Sequence, residues 1–221
     1  MAQEEHGAYV RVQAVSKSFG DAQVLHAISV DFERGKIHGL IGKNGSGKTV
    51  LLKCICGLLR PTQGAILVDG KQVGKDMDFP QSMGMIIESP GFLPYYSGRR
   101  NLEILASLRR KIGKAQIAQV MQQVGLDPNN RKGVGKYSMG MRQRLGIAQA
   151  VMEDPDLLIL DEPMNGLDKQ GIAWARAFFA QLRDQGKTLI MASHSAEDVA
   201  TLCDTVHEME GGVLTEVAPQ M

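Results

Sequence analysis

An apolar run, Ile37 to Ile41, leads directly into Gly42-Lys43-Asn44-Gly45-Ser46-Gly47-Lys48-Thr49, and a second apolar stretch, Val50-Leu51-Leu52-Lys53-Cys54-Ile55, follows. This order reads as strand, glycine-rich loop, helix. It meets the pattern G-x-x-x-x-G-K-[ST] in the structural context that gives the pattern meaning. Glycines allow a tight turn that aims several backbone N–H groups at one anion. The positive end of the following helix adds to that field. Lys48 then reaches the outer phosphates of a nucleotide, and Thr49 offers its hydroxyl to a magnesium ion. A plain glycine-rich turn before an ordinary helix would share the composition but does not require the lysine and threonine at its end.

A loop of this kind belongs at the end of a central parallel strand, and the chain supplies further strands of that type. Leu157-Leu158-Ile159-Leu160 and Thr188-Leu189-Ile190-Met191-Ala192 are continuous apolar runs, as expected of strands covered on both faces. Between them a helix is expected over roughly Lys169 to Gln185. Ahead of the loop, Tyr9 to Val15 and Ile28 to Phe32 alternate apolar and polar residues and read as strands, separated by a turn-rich break at Ser16 to Asp21. Short strands are expected at Ala65 to Val68, around Lys71 to Val73, and at Met83 to Ile87, with Asp69-Gly70 as a hairpin turn. From about Pro90 to Met152 the period becomes helical, with a helix starting at Ser138 as its N-cap. The expected fold is an α/β P-loop NTPase core, RecA-like with a mainly parallel sheet. It carries an N-terminal antiparallel β subdomain and an inserted α-helical subdomain. The expected division within one 1–221 domain is a nucleotide-binding core over 1–88 and 153–221, and a helical part over 89–152.

Composition narrows the setting. With 43% hydrophobic and 22% charged residues and a formal net charge of +1, the 221-residue chain is an ordinary globular sequence; the composition calls for neither nucleic acid nor an anionic membrane as partner. No apolar run approaches the roughly 20 residues that span a bilayer, so a membrane role is expected to come through a separate subunit. Met-Ala-Gln-Glu-Glu-His lacks the basic start and apolar core of a secretion signal. Val213 to Val217 read as the last strands, with no regulatory C-terminal domain after them. Cys54, Cys56 and Cys203 do not form a disulfide framework and suit a reducing cytosol. Cys54 and Cys56, two apart on a helix, are expected to point to different sides.

The second element with chemistry is Asp161-Glu162-Pro163, at the C-terminal end of the strand Leu157 to Leu160. Ligand sites of open α/β sheets lie at that end. Asp161 suits magnesium, and Glu162 suits the orientation or deprotonation of an attacking water. Phosphoryl transfer asks for this set of parts: phosphate cradle, cation, positioned nucleophile and charge neutralisation.

With these residues in place, nearly the whole chain resembles the nucleotide-binding subunits of ABC transporters. Gly42 to Thr49 match Walker A, including Asn44, Gly45, Ser46 and Gly47. Leu157 to Asp161 match Walker B, and Glu162 falls at the catalytic glutamate. Phe19 takes the A-loop position that stacks on adenine. Asn165-Gly166-Leu167-Asp168 resembles the D-loop, and His194 the switch histidine that contacts the γ-phosphate. Tyr137-Ser138-Met139-Gly140-Met141 resembles the signature, keeping Ser138 and Gly140 and departing from the consensus at Met139 and Met141. The resemblance implies ATP and Mg2+ as ligands and a head-to-tail dimer with a second copy or a paralogous ATPase, in which Ser138 and Gly140 of one chain face the ATP of the other. It also implies a separate transmembrane permease, a cytoplasmic position on the inner face of the membrane, and no nucleic acid.

One position departs more tellingly. Where most relatives carry the Q-loop glutamine, this chain has Glu88, in Ile87-Glu88-Ser89-Pro90-Gly91-Phe92. A carboxylate only accepts hydrogen bonds and adds negative charge near metal and phosphate. Glu88 is therefore expected to bear on nucleotide and magnesium, and to couple the site to the membrane partner. Glutamate here, with Pro-Gly-Phe after it, resembles the branch that exports antibiotics and lantibiotics, including bacitracin-type resistance. The alternatives are a soluble ABC ATPase of the repair or translation type and a small P-loop kinase. The first expects a long coiled coil or two cassettes, the second a lid and no signature.

Overall fold

The computed structural model describes residues 7–217; the N-terminal hexapeptide discussed above lies outside them. The apolar runs become the inner strands of a six-stranded sheet of order β10-β9-β3-β8-β7-β6. Its strands are β3 (Ile37–Ile41), β6 (Met83–Ile86), β7 (Leu157–Asp161), β8 (Thr188–Ala192), β9 (Thr205–Glu210) and β10 (Val213–Val217). Neighbours pair in parallel from β9 to β6, and only β10 runs antiparallel. Every residue of β7 and β8 is buried. Because side chains alternate between faces, Leu157 and Ile159 join a cluster with Leu51, Leu52 and Phe32, while Leu158 and Leu160 join one with Leu145 and Phe179. Burying each such side chain contributes about 1.5–3 kcal/mol. That two-sided burial explains why these strands carry no polar alternation.

The first cluster lies between this sheet, the helix α1 (Lys48–Ile55) and a four-stranded antiparallel sheet of order β2-β1-β4-β5. The latter contains β1 (Ala8–Phe19), β2 (Ala22–Glu33), β4 (Gln63–Val68) and β5 (Lys71–Gln72). The hairpin is longer than the sequence reading allowed, since Ser16 to Phe19 continue β1 and β2 begins at Ala22. The polar residues there are paired rather than turning. Ser16 Oγ accepts from Ala27 N at 2.9 Å, and Ser18 N donates to Thr62 Oγ1 at 3.0 Å. Register shifts flank Ala14, which has φ of 46° as does Ala27, so the long hairpin is bulged and coiled. The Asp69-Gly70 turn has positive φ at both residues, as a type I′ hairpin requires.

The second cluster is covered by α2 (Gly98–Arg109), α3 (Lys114–Gln123), α4 (Met139–Val151) and α5 (Lys169–Asp184). The first three follow β6 and precede β7 in the chain. Gly84 marks the closest approach: a Cβ there would run into the carbonyl of Ala150 at the end of α4. The short α6 (Ala196–Leu202) packs on β3, where a Cβ at Gly39 would meet Cys203 Sγ at 2.9 Å. Cys54 and Cys56 are both buried and both enter the first cluster. α1 ends at Ile55, and Cys56, its C-cap, keeps a helical backbone, with its N–H donating to Leu52 O at 2.9 Å. Burial pushes the two thiols up to about 11 and about 12. Among the described residues, no helix is long and apolar enough to cross a membrane.

Candidate active site

The C-terminal ends of β3 and β7 place the loop 42–49 beside Asp161 and Glu162. Gly42 has φ of 145° and Gly47 of 113°, in the region that favours glycine. Space forbids a side chain as well. A Cβ at Gly42 would strike the carbonyl of Met209, and one at Gly47 would meet Leu25 at 2.9 Å. The loop is thus pressed between β9 and the β1–β2 hairpin, and Gly212 N donates to Ser46 O at 3.1 Å to fix it. α1 begins after Gly47 without a side-chain cap, so its first N–H groups stand free for an anion.

Lys48 is 6% exposed, and its ammonium donates to the carbonyls of Gly42 and Lys43 at 2.6 and 3.1 Å. The Ser46 hydroxyl is buried without a hydrogen-bond partner. A buried hydroxyl without a partner is costly, and here it lies in a loop whose free donors all suit phosphate oxygens. Thr49 Oγ1 donates to Asp161 Oδ2 at 2.7 Å, uniting a helix residue and a strand residue 112 positions apart. Hydroxyl and carboxylate oxygens are the hard donors that magnesium takes with its retained waters and a nucleotide's phosphates. These observations fit a nucleotide with magnesium. The cleft measures about 500 Å3 and is lined by residues 44–50, Val24, Asp161 and Glu162.

Glu162 sits one residue past β7 with φ of 49°, a left-handed backbone that strains a non-glycine residue. Its N–H is held by Ala192 O at 2.9 Å. The turn aims the carboxylate toward the segment that follows β8, where His194 Nδ1 donates to Glu162 Oε2 at 2.8 Å. A carboxylate and an imidazole are joined in this way at the mouth of the phosphate cradle.

The remaining candidates stand apart. Phe19, at the end of β1, is 47% exposed, with Lys17 Nζ 5.0 Å from its ring centroid; it does not line the cleft. Ser138 caps α4, accepting from Met141 N at 3.2 Å, and Asp168 caps α5, accepting from Gly171 N at 2.8 Å. Ser138 and Gly140 lie off the cleft of their own chain. A Cβ on Gly140 would meet Gly166 O at 3.3 Å, so the start of α4 rests on the segment after Glu162. Glu88 is not with Thr49 and Asp161 either. Its Oε1 accepts from Lys53 Nζ at 2.6 Å.

Two contacts escaped the sequence reading. Gln143 Nε2 donates to Pro163 O at 2.8 Å and Glu162 O at 3.3 Å, tying α4 to the strand end that carries the acidic pair. Lys53 is the other. The available signal was spacing: Lys53 is four residues past Thr49 and so on its face of α1.

Fold and cleft together define a P-loop nucleoside triphosphatase. A family model described as ABC transporter matches residues 25–165. An uncharacterized ABC transporter ATP-binding protein of Bacillus subtilis (strain 168) is 43% identical over 205 residues, 93% of this chain and 94% of that protein. The bacitracin transport ATP-binding protein BcrA of Enterococcus faecalis is 39% identical, covering 94% of this chain and 68% of that one. The dimeric structure of a bacterial ABC transporter cassette superposes with a TM-score of 0.86 at 18% identity, covering 96% of this chain and 99% of that one. The chain belongs to the ABC transporter family, as an ATP-binding subunit of the kind that hydrolyses ATP.

Proposed function

We propose that this subunit hydrolyses ATP to drive a separate membrane permease, and that the cargo is an exported antibiotic, lantibiotic or similar amphiphile. The observation that carries the hydrolytic part is the joining of Thr49 to Asp161 beside Glu162 and His194, at the open end of the phosphate cradle. Lys48 and the N–H groups of residues 44–49 hold the outer phosphates, with Gly42 giving the loop its turn. Thr49 and Asp161 hold Mg2+, which supplies charge neutralisation at the phosphates. Glu162 accepts the proton of the attacking water, and His194 keeps its carboxylate oriented and lies within reach of the terminal phosphate. Phe19 stacks on adenine. Glu88 bears on nucleotide, metal and coupling to the permease.

Ser138 and Gly140 lie off their own cleft while presenting a helix N-terminus, the geometry suited to an anion held by another protomer. The working unit is therefore a head-to-tail pair, with a second copy or a paralogous ATPase, and Asp168 lies near its seam. Within the chain, 89–152 form the helical subdomain and 1–88 with 153–221 the nucleotide-binding core. ATP closes the pair and hydrolysis reopens it, turning a difference in binding energy into motion. No nucleic acid takes part, and the subunit works on the cytoplasmic face of the membrane through its permease. The cargo rests on the relative named for bacitracin transport and on Glu88 with its Pro-Gly-Phe neighbours. Affinity purification of the tagged chain from its own cells in mild detergent is the test. Recovery of a stoichiometric multi-span membrane protein is expected; recovery of the chain with soluble partners alone would contradict the transport reading.

A further inference from the structure

The ends of β6 and β7 mirror each other. The two strands are parallel neighbours with Ile86 opposite Leu160, and two residues past each comes a glutamate: Glu88 and Glu162. Both have left-handed backbones, with φ of 58° and 49°. Strain of this kind at two matched strand ends gathers where function holds it in place. Glu162 turns its carboxylate to His194; Glu88 turns its own to Lys53 Nζ, 2.6 Å away. The Glu88 side chain is 65% exposed and that of Lys53 27%. An ion pair so open to water adds little to stability, so stability does not account for a strained glutamate.

The position of Lys53 does. It stands one turn beyond Thr49 on α1, on the same face, and Thr49 is the residue bound to Asp161. The contacts run Glu88, Lys53, one helical turn, Thr49, Asp161. A third carboxylate on the strand end beside the one that carries Asp161 and Glu162 would repel a nucleotide's phosphates yet attract a cation.

We propose that Lys53 is a positioning residue for Glu88: it holds the carboxylate clear of the nucleotide in the free protein and yields it toward the metal side when the divalent cation arrives. The Lys53–Glu88 pair thereby sets how much Mg2+ the site needs. This rests on reading Thr49 and Asp161 as the metal-holding pair.

The test is equilibrium binding of a fluorescent ATP analogue, titrated with Mg2+, for the wild type, Lys53→Met, Glu88→Gln, the double variant and Lys53→Arg. Lys53→Met both removes a positive charge near the cation and frees Glu88 for it, and should lower the half-saturating Mg2+ concentration about tenfold, the order expected of a unit charge in a partly screened site. In the Glu88→Gln background the same change removes only the lysine charge and frees no carboxylate, so the shift should be at least about threefold smaller than in the wild-type background. Lys53→Arg should behave as wild type. Equal shifts in both backgrounds, or none in either, would overturn the role of Lys53. Asp161→Asn separates the two layers. If it leaves the Mg2+ requirement unchanged, the metal-pair reading fails and the proposal falls with it; if it raises the requirement while Lys53→Met does nothing, only the proposal fails.

Discussion

Glu162→Gln is expected to bind ATP as the wild type does, to remain paired in its presence, and to lose turnover by about 10²–10⁴-fold, the usual span for removing a general base. The substitution keeps shape and removes one acceptor of protons. The backbone that sets its position, with Glu162 N held by Ala192 O, does not depend on the side chain. The phosphate cradle and the Thr49–Asp161 pair are left as they are. Glutamine can still accept from His194 Nδ1 through its amide oxygen, so the local geometry survives while the base is lost. Single-turnover hydrolysis and sedimentation with ATP read the two effects separately. Turnover near the wild-type rate would remove Glu162 from the role proposed for it.

Lys48→Ala should act at the opposite end of the cycle. Its ammonium is buried and held over the loop by the carbonyls of Gly42 and Lys43. Those carbonyls keep a buried charge satisfied in the free protein and leave it aimed at the space an outer phosphate would fill. Charge-assisted hydrogen bonds to phosphate contribute about 1.5–3 kcal/mol each. The loss of one or two predicts nucleotide binding weakened by about a hundredfold. The carbonyls of Gly42 and Lys43 also lose their donor, so a thermal melt accompanies the titration. A melt within a few degrees of wild type with binding lost supports the role; ATP binding unchanged would contradict it.

The two variants divide the site as the sequence does. Gly42 to Thr49 and Asp161-Glu162 were legible because each motif closes an apolar run, and strand ends are where such sheets place their ligands. The continuous runs at β7 and β8 were legible for the same physical reason: a strand covered on both faces has no polar alternation to obscure it. The β1–β2 hairpin was misread between Ser16 and Ile28. There the ladder is bulged, Ser16 Oγ accepts from Ala27 N across it, and Ser18 N donates to Thr62 Oγ1 on the β4 side of β1. A run of small polar residues looks the same in a turn and in such a strand. The partner of Glu88 was out of reach for a different reason. Lys53 lies 35 residues earlier in the chain, and only the fold brings α1 against the end of β6. Gln143 is a similar case, tied to residues 19 and 20 positions away.

The central claim is that one chain holds half of a catalyst, with Ser138 and Gly140 serving the cleft of another. Specific ATPase activity measured over a dilution series tests it most directly. At saturating ATP and Mg2+, activity per milligram should fall as the protein is diluted, with the rate following the square of concentration at the low end. Activity per milligram that stays constant down to concentrations at which sedimentation finds only monomer would contradict it.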